Sequence, residues 1–289
     1  MKEYSFGGLK NSDIGTSEIV ILPLCYERNV SYGKGTDKGP LHILTASKQL
    51  EALDEETLTD WSNFKIHTIP PFYPSDNPEN AVKEMEEKAF SVMSKGKFLL
   101  SLGGDHAISI GPVIAASKVY KKLGLLQIDA HLDLRDRWNK SKFNHACVIR
   151  RIIETTKTPV SQVGIRSVAK EEIDFCERNS LKPFYAHDID PMDDSWMDEA
   201  IDILPENVYM TIDLDGLDPS VIPGTGTPEP GGLLYRQLTK LIKKISKKRN
   251  LIAADICELI KIDGQQVSEF TAAKIAMKLI VESQIQKNS

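Results

Sequence analysis

Short apolar runs alternate along this chain with longer stretches in which apolar residues recur every three or four positions. The runs predict strands over 18–24, 66–69, 98–102, 124–128, 163–165, 183–186, 208–212 and 251–256. Several are apolar at consecutive positions, as parallel strands covered by helices on both faces require. The clearest helix covers 77–95: Asn77 can cap it, Pro78 suits its first turn, and Val82, Met85, Ala89 and Met93 share a face. Segments 233–248 and 268–286 also read as helices, the lysines of the former making a solvated face. No repeat, low-complexity linker or composition shift interrupts this order, which predicts one α/β domain over 1–289. Eight strands in this alternation suit either a closed barrel or an open parallel sheet. Both place ligands at the carboxyl ends of strands, and periodicity leaves the choice open.

Composition narrows the function classes. Of 289 residues, 41% are hydrophobic and 27% charged, which excludes a disordered tail or a fibrous repeat. Lys and Arg total 36 against 41 Asp and Glu, a net charge of −5 with no basic block, so nucleic acid is not an expected partner. Mild acidity fits a small cationic ligand. The cysteines Cys25, Cys147, Cys176 and Cys257 are far apart with no Cys-x-x-Cys pair, and read as free thiols in a reducing compartment. Met1 to Ser5 carry no apolar run of a signal peptide, and no stretch reaches the roughly 18 apolar residues of a membrane span. The expectation is a soluble cytoplasmic protein.

Three strand ends carry the chemistry. The run Leu125–Ile128 passes into Asp129-Ala130-His131-Leu132-Asp133, and in extended backbone residues i, i+2 and i+4 point to one side. Three such groups after a buried strand repel or desolvate one another unless a cation compensates. The strand over 208–212 likewise ends in Asp213 and Asp215, while Asp218, preceding Pro219, is expected to shape the turn. The strand over 98–102 breaks at Gly103-Gly104 before Asp105-His106; the glycines allow close backbone approach, His106 is a ligand candidate, and Asp105 either braces it or caps the next helix. Alone, Asp129-x-His131-x-Asp133 suits a solvated loop equally well, an isolated Asp213 and Asp215 pair reads first as a turn, and a lone His106 reads first as a structural histidine. Jointly they supply four carboxylates and two imidazoles at one sheet edge. That donor set favours hard or borderline divalent ions, Mn²⁺ first, with Fe²⁺, Co²⁺ and Zn²⁺ open.

These motifs, Gly103-Gly104-Asp105-His106, Asp129-Ala130-His131-Leu132-Asp133 and Asp213-Leu214-Asp215-Gly216-Leu217-Asp218-Pro219, resemble the three signatures of the ureohydrolases, the arginases, agmatinases and relatives that hydrolyse guanidinium compounds to urea and an amine. The stretch from Pro223 to Gly232 matches as well, and the likeness runs from Gly39-Pro40 to Thr271-Ala272-Ala273. The resemblance implies a three-layer α/β fold with an open, mostly parallel eight-stranded sheet flanked by helices. It further implies two Mn²⁺ per chain, one on His106 and Asp133, the other on His131 and Asp215, with Asp129 and Asp213 bridging. Such a pair supplies a nucleophile from water at neutral pH. Asp133 would carry a proton to the departing amine, Glu258 would pair with the guanidinium, and His145 would serve near its unperturbed pKa of about 6.5 as a catalytic and substrate-binding histidine. His42, His67 and His187 match no family site and read as structural or exposed. The family's habit implies a homotrimer or homohexamer.

The resemblance also bears on the substrate tail. Phe143-Asn144-His145-Ala146 followed by Arg150-Arg151 is similar to agmatinases, and Ser167-Val168-Ala169-Lys170 stands where arginases carry acidic residues for an α-amino group. The expectation is agmatine, cleaved to putrescine and urea, with aminopropylagmatine, guanidinobutyrate, arginine and guanidine as alternatives. Residues 138–142 and 259–264 depart from the family pattern and are expected to border the pocket entrance. Rival classes are an inactive regulatory homologue, which the complete ligand set opposes, and a single-zinc deacetylase of related fold, which the paired Asp-rich motifs oppose. A phosphoesterase would bring a Gly-rich phosphate loop or basic cluster, and neither is present in the sequence.

Overall fold

The computed structural model describes residues 4–28 and 30–285; Met1 to Glu3 of the leading stretch and Gln286, the expected end of the last helix, lie outside them. The strands are β1 (Ile19–Leu24), β2 (Ile66–Thr68), β3 (Phe98–Gly103), β4 (Leu123–Ile128), β5 (Val160–Ile165), β6 (Phe184–Tyr185), β7 (Asn207–Asp213) and β8 (Asn250–Cys257). They form one sheet in the order β2-β1-β3-β8-β7-β4-β5-β6, every neighbouring pair parallel. The sheet is open, with β2 and β6 at its edges, so the barrel alternative falls.

Alternation within the strands sends side chains to two cores. Ile19 and Ile21 of β1 join one cluster, with α1 (Gly39–Ser47), α6 (Ser195–Asp202), α7 (Tyr235–Lys248) and α8 (Val267–Ile285). Val20, Leu22 and Leu24 join the other, with α2 (Pro78–Met93), α3 (Ile110–Val119), α4 (Val148–Thr156) and α5 (Lys170–Asn179). Three layers result, and burial on both faces explains the unbroken apolar runs. Helix α2 begins as the sequence predicts: Asn77 Oδ1 accepts from Asn80 N at 3.0 Å and Pro78 opens the helix. The segment over 233–248 starts its helix only at Tyr235, because Leu233 instead pairs with Leu217 in an isolated bridge.

Two strands differ in extent from the reading. The edge strand expected over 183–186 contracts to Phe184–Tyr185, since Pro183 has no N–H for the ladder and Ala186 opens a 3₁₀ turn. β5 starts three residues earlier than expected, at Val160, where the side-chain amide N–H groups of Gln162 find acceptors inside the fold. The buried Gln162 donates to Gln127 Oε1 at 2.7 Å and to Leu132 O at 2.8 Å. Gly164, at φ 93, then shifts the register against β6.

Parallel strands put all their carboxyl ends on one edge. There the four central strands β3, β8, β7 and β4 end side by side, the crevice position at which open α/β sheets bind ligands. Gly104 lets β3 end there, donating to Leu24 O at 2.9 Å while a Cβ on it would lie 1.9 Å from Tyr26 O. Gly104→Ala should therefore displace the loop after β1 and the His106 turn together. A loss of about 1–3 kcal/mol, read from the urea midpoint, is the expected outcome.

Candidate metal centre

The six predicted ligands meet at this edge, though not by strand alternation. β4 stops at Ile128, before the motif, and Asp133 takes a left-handed conformation at φ 53. That conformation is fixed by Asp133 O, which accepts from Ile149 N at 3.1 Å and Arg150 N at 3.2 Å at the start of α4. Asp213 closes β7, but Asp215 sits on a 3₁₀ turn, Leu214–Gly216, capped by Asp213 Oδ1, which accepts from Asp215 N at 2.9 Å. A strand extended through these motifs would have left the backbone groups unpaired at a buried edge; the turns pair them with the carboxylates instead.

The result is a division of labour repeated within Asp129, Asp213 and Asp215. Asp129 Oδ1 accepts from His131 N at 2.7 Å, and Asp215 Oδ1 from Ala130 N at 3.1 Å. The other oxygens face the imidazoles. His106 Nδ1 lies 3.1 Å from Asp129 Oδ2, 2.9 Å from Asp133 Oδ2 and 3.4 Å from Asp213 Oδ2. His131 Nδ1 lies 3.1 Å from Asp215 Oδ2 and 3.5 Å from Asp129 Oδ1. Asp129 thus reaches both histidines, as a bridging carboxylate would, while Asp213 approaches His106 alone. Two donor groups, His106 with Asp129 and Asp133, and Asp129 with His131 and Asp215, each bring their ligand atoms within 4.8 Å of one another. A third joins His106, Asp213 and Cys257, a thiol the motifs did not flag.

The donor chemistry fits divalent cations. His106 is fully buried; its Nε2 lies 2.9 Å from Thr211 Oγ1, whose hydroxyl donates to Asp255 Oδ1 at 2.6 Å. With that hydroxyl hydrogen committed, Nε2–H is the donor and a lone pair is left on Nδ1, which has no hydrogen-bond partner amid three carboxylate oxygens. Such an arrangement is repulsive unless a positive charge sits between them. With protein groups alone, protons supply that charge. Burial would lower His131, yet Asp215 and Asp129 raise it to about 12. Burial, reinforced by the Asp129 charge, pushes Asp133 up to about 7. Four carboxylates balance two dications, and their oxygens with two imidazoles make a hard-to-borderline set.

Around the centre, Asp105 caps the His106 turn rather than bracing the imidazole: its Oδ1 accepts from Ala107 N at 3.0 Å and its Oδ2 from Arg28 N at 2.5 Å. Asp218 shapes its turn as expected, accepting from Ser220 N at 2.9 Å and Gly231 N at 2.7 Å. Glu258 follows β8 at φ 66, and its Oε1 accepts from His106 N at 2.7 Å, tying this carboxylate to the backbone of the His106 turn. Both Glu258 and His145 line a cavity of about 300 Å³ with His106, His131, Asp133 and Asp213. His145 departs from the expected unperturbed value: burial, reinforced by His106 and His131, pushes it down to about 4, so it is neutral at physiological pH. His42, His67 and His187 do not line this cavity. Of the divergent stretches, 138–142 reaches the cavity through Trp138, whereas 259–264 supports it from behind, where Ile260 N donates to Gly224 O at 2.8 Å.

The model of the arginase family matches residues 17–281. The chain belongs to the arginase family. It is 37% identical over 91% of its length to an N(1)-aminopropylagmatine ureohydrolase of Synechocystis, covering 88% of that protein. It is also 33% identical to an agmatinase of Pyrococcus horikoshii, over 94% of each chain. The crystal structure of agmatine ureohydrolase of Thermoplasma volcanium superposes with a TM-score of 0.90 at 27% identity, over 100% of this chain and 96% of that one.

Several supporting residues of this arginase-family centre carry no motif of their own. Gln127 Nε2 donates to Asp129 Oδ2 at 2.7 Å, and Arg166 spans the loops, donating to Asp215 O and Glu229 O at 2.6 Å each. Asp255 was visible only as an acid within the apolar run of β8, facing Thr211 in register. Asp129→Asn and Asp213→Asn should each leave fewer than two Mn²⁺ per chain after dialysis from excess metal, measured by elemental analysis. Two full equivalents retained in either variant would contradict a shared centre.

Proposed function

We propose that this chain is a ureohydrolase that uses two divalent cations, Mn²⁺ first, to cleave agmatine to putrescine and urea. The observation that carries this reading is the convergence of Asp133, Asp213, Asp215, His106, His131 and Glu258 on one cavity, with Asp129 beside both imidazoles, whose only lining lysine or arginine among the described residues is Arg135. Arg135 is already engaged, donating to Glu171 Oε1 at 2.8 Å. A cationic guanidinium fits this lining, while an amino-acid carboxylate meets no free basic partner in it. Ser167 and Val168 line the wall where the resemblance places acidic residues in arginases, which supports a tail without an α-amino acid group.

When bound, the cations would supply the Lewis acidity that makes water a competent nucleophile at neutral pH. Glu258 would hold the guanidinium by charge-assisted hydrogen bonds, using Oε2 and the remaining lone pair of Oε1, so that the carbon is oriented before reaction. Asp133, rigidly placed by its left-handed backbone, would carry a proton from water to the departing amine. The tail would run outward past Trp138 and Tyr32, both on the cavity wall. A homo-oligomer, trimer or hexamer, belongs to the same proposal, and light scattering on the purified chain tests it.

A second reading, a tail extended by an aminopropyl group, is favoured by the 37% identity to the Synechocystis relative. Urea release from agmatine, aminopropylagmatine, guanidinobutyrate and arginine after Mn²⁺ loading separates the two. The expected order places agmatine first and arginine last; an aminopropylagmatine preference supports the second reading, and a strong arginine preference overturns both. Glu258→Gln should lower kcat/KM on the best substrate by about 10²-fold, the magnitude of a lost charged hydrogen-bond pair, in steady-state assays.

A further inference from the structure

Beneath the motif that follows β4, two glutamines meet across the sheet. Gln127 of β4 and Gln162 of β5 are partners in register, and both are buried. Neither amide is free to choose its orientation. Gln127 Nε2 lies 2.7 Å from Asp129 Oδ2 and 3.2 Å from His131 O, and a carboxylate and a carbonyl can only accept. The nitrogen must face them, which turns Gln127 Oε1 toward Gln162. Gln162 Nε2 in turn lies 2.7 Å from that oxygen and 2.8 Å from Leu132 O, again two acceptors. Gln162 Oε1 is then left buried without a partner. One relay of two amides thus ties β5 to the side chain of Asp129 and to the backbone of His131 and Leu132. Ending it in an orphaned acceptor costs stability, so its use is to be sought at the other end, on Asp129.

At that end the lone pairs can be counted. A carboxylate offers about four acceptor sites, two on each oxygen. Asp129 Oδ1 spends one on His131 N at 2.7 Å and lies 3.5 Å from His131 Nδ1. Oδ2 spends one on Gln127 Nε2 and lies 3.1 Å from His106 Nδ1. Each oxygen keeps one site, and the two oxygens face different imidazoles. Without Gln127, Oδ2 regains its second site, and the carboxylate is freer to turn both oxygens on a single cation.

We propose that Gln127, held in orientation by Gln162, is a positioning residue that makes Asp129 a bridge, one oxygen for each of two cations, instead of a two-oxygen ligand of one. A neutral amide suits the role, because a lysine or arginine in its place would neutralise the carboxylate it orients. The inference rests on the two-cation reading of the centre.

Mn²⁺ binding to the full chain, stripped of metal beforehand, tests it by calorimetry and by electron paramagnetic resonance of the bound ions. The parent is expected to take two ions and to show the exchange-coupled spectrum of a manganese pair. Gln127→Met, an unbranched side chain without a donor, should keep the first ion at parental affinity. Its second ion should bind about 10–100-fold more weakly, and at two added equivalents the spectrum should be that of isolated ions. Gln162→Met, which leaves the Gln127 amide free to turn, should move both readouts the same way by less, and it decides the matter if Gln127→Met does not fold. Lost hydrogen bonds lower the melting temperature of either variant, but general loosening weakens both ions alike, whereas a lost bridge spares the first. Parental affinities with parental coupling, or equal weakening of both ions, would overturn the proposal and leave the two-cation centre standing. A parent that takes up fewer than two ions would overturn the centre itself, and the bridge with it.

Discussion

Four carboxylates gathered at one buried sheet edge repel one another, and the rest of this protein is organised around that repulsion. Asp129, Asp133, Asp213 and Asp215 are all at most 5% exposed, where charges interact far more strongly than in water. A neutral His106 does not relieve this, because it turns a lone pair toward three of the four. The fold must therefore hold the acids in place against their own electrostatics and leave the balance to cations. Neighbouring backbone does much of the holding. Asp129, Asp213 and Asp215 each commit one oxygen to a main-chain N–H and leave the second facing the centre, so each carboxylate is oriented without any competing basic side chain.

The same economy extends outward. Glu258 accepts from His106 N, Asp105 from Arg28 N, and Glu27 from Gly35 N at 2.6 Å and Thr36 N at 2.7 Å. Acids fix loops here, and loops fix ligands. Basic groups are kept for carbonyls and the rim, as with Arg166, whose guanidinium is spent entirely on backbone oxygens among the described residues. A lysine or arginine placed directly on a metal-facing carboxylate would neutralise it and remove the reason for a cation to bind.

How much of this was legible in the sequence follows from what each feature needs. The six inner strands were visible because burial on both faces leaves an apolar run, and Asn77-Pro78 announced α2 by local capping chemistry alone. The six candidate ligands were visible because acids and histidines rarely follow buried strands without cause. Their convergence was inferred for the wrong reason: strand alternation ends before Asp133 and Asp215, and left-handed and 3₁₀ backbone does the work. Barrel against open sheet was not legible, since closure depends on whether β2 and β6 meet, a contact between residues far apart in the chain. Cys257, Thr211 and Asp255 were missed because their relation to His106 exists only in the pairing of β7 with β8.

The mouth of the cavity was the least legible part, and the reason is physical. Chemistry at the strand ends is set by rigid backbone and repeats as motif, whereas Trp138 and Ser31 meet across 107 positions through one hydrogen bond. No local pattern announces such a contact; only the tight turn at Asn139-Lys140 makes it geometrically reachable. Loops of this kind can be exchanged without disturbing the carboxylates beneath them. One carboxylate edge can therefore stay the same while the wall above it, here the Trp138 indole, the Ser31 hydroxyl and the His145 imidazole, varies independently.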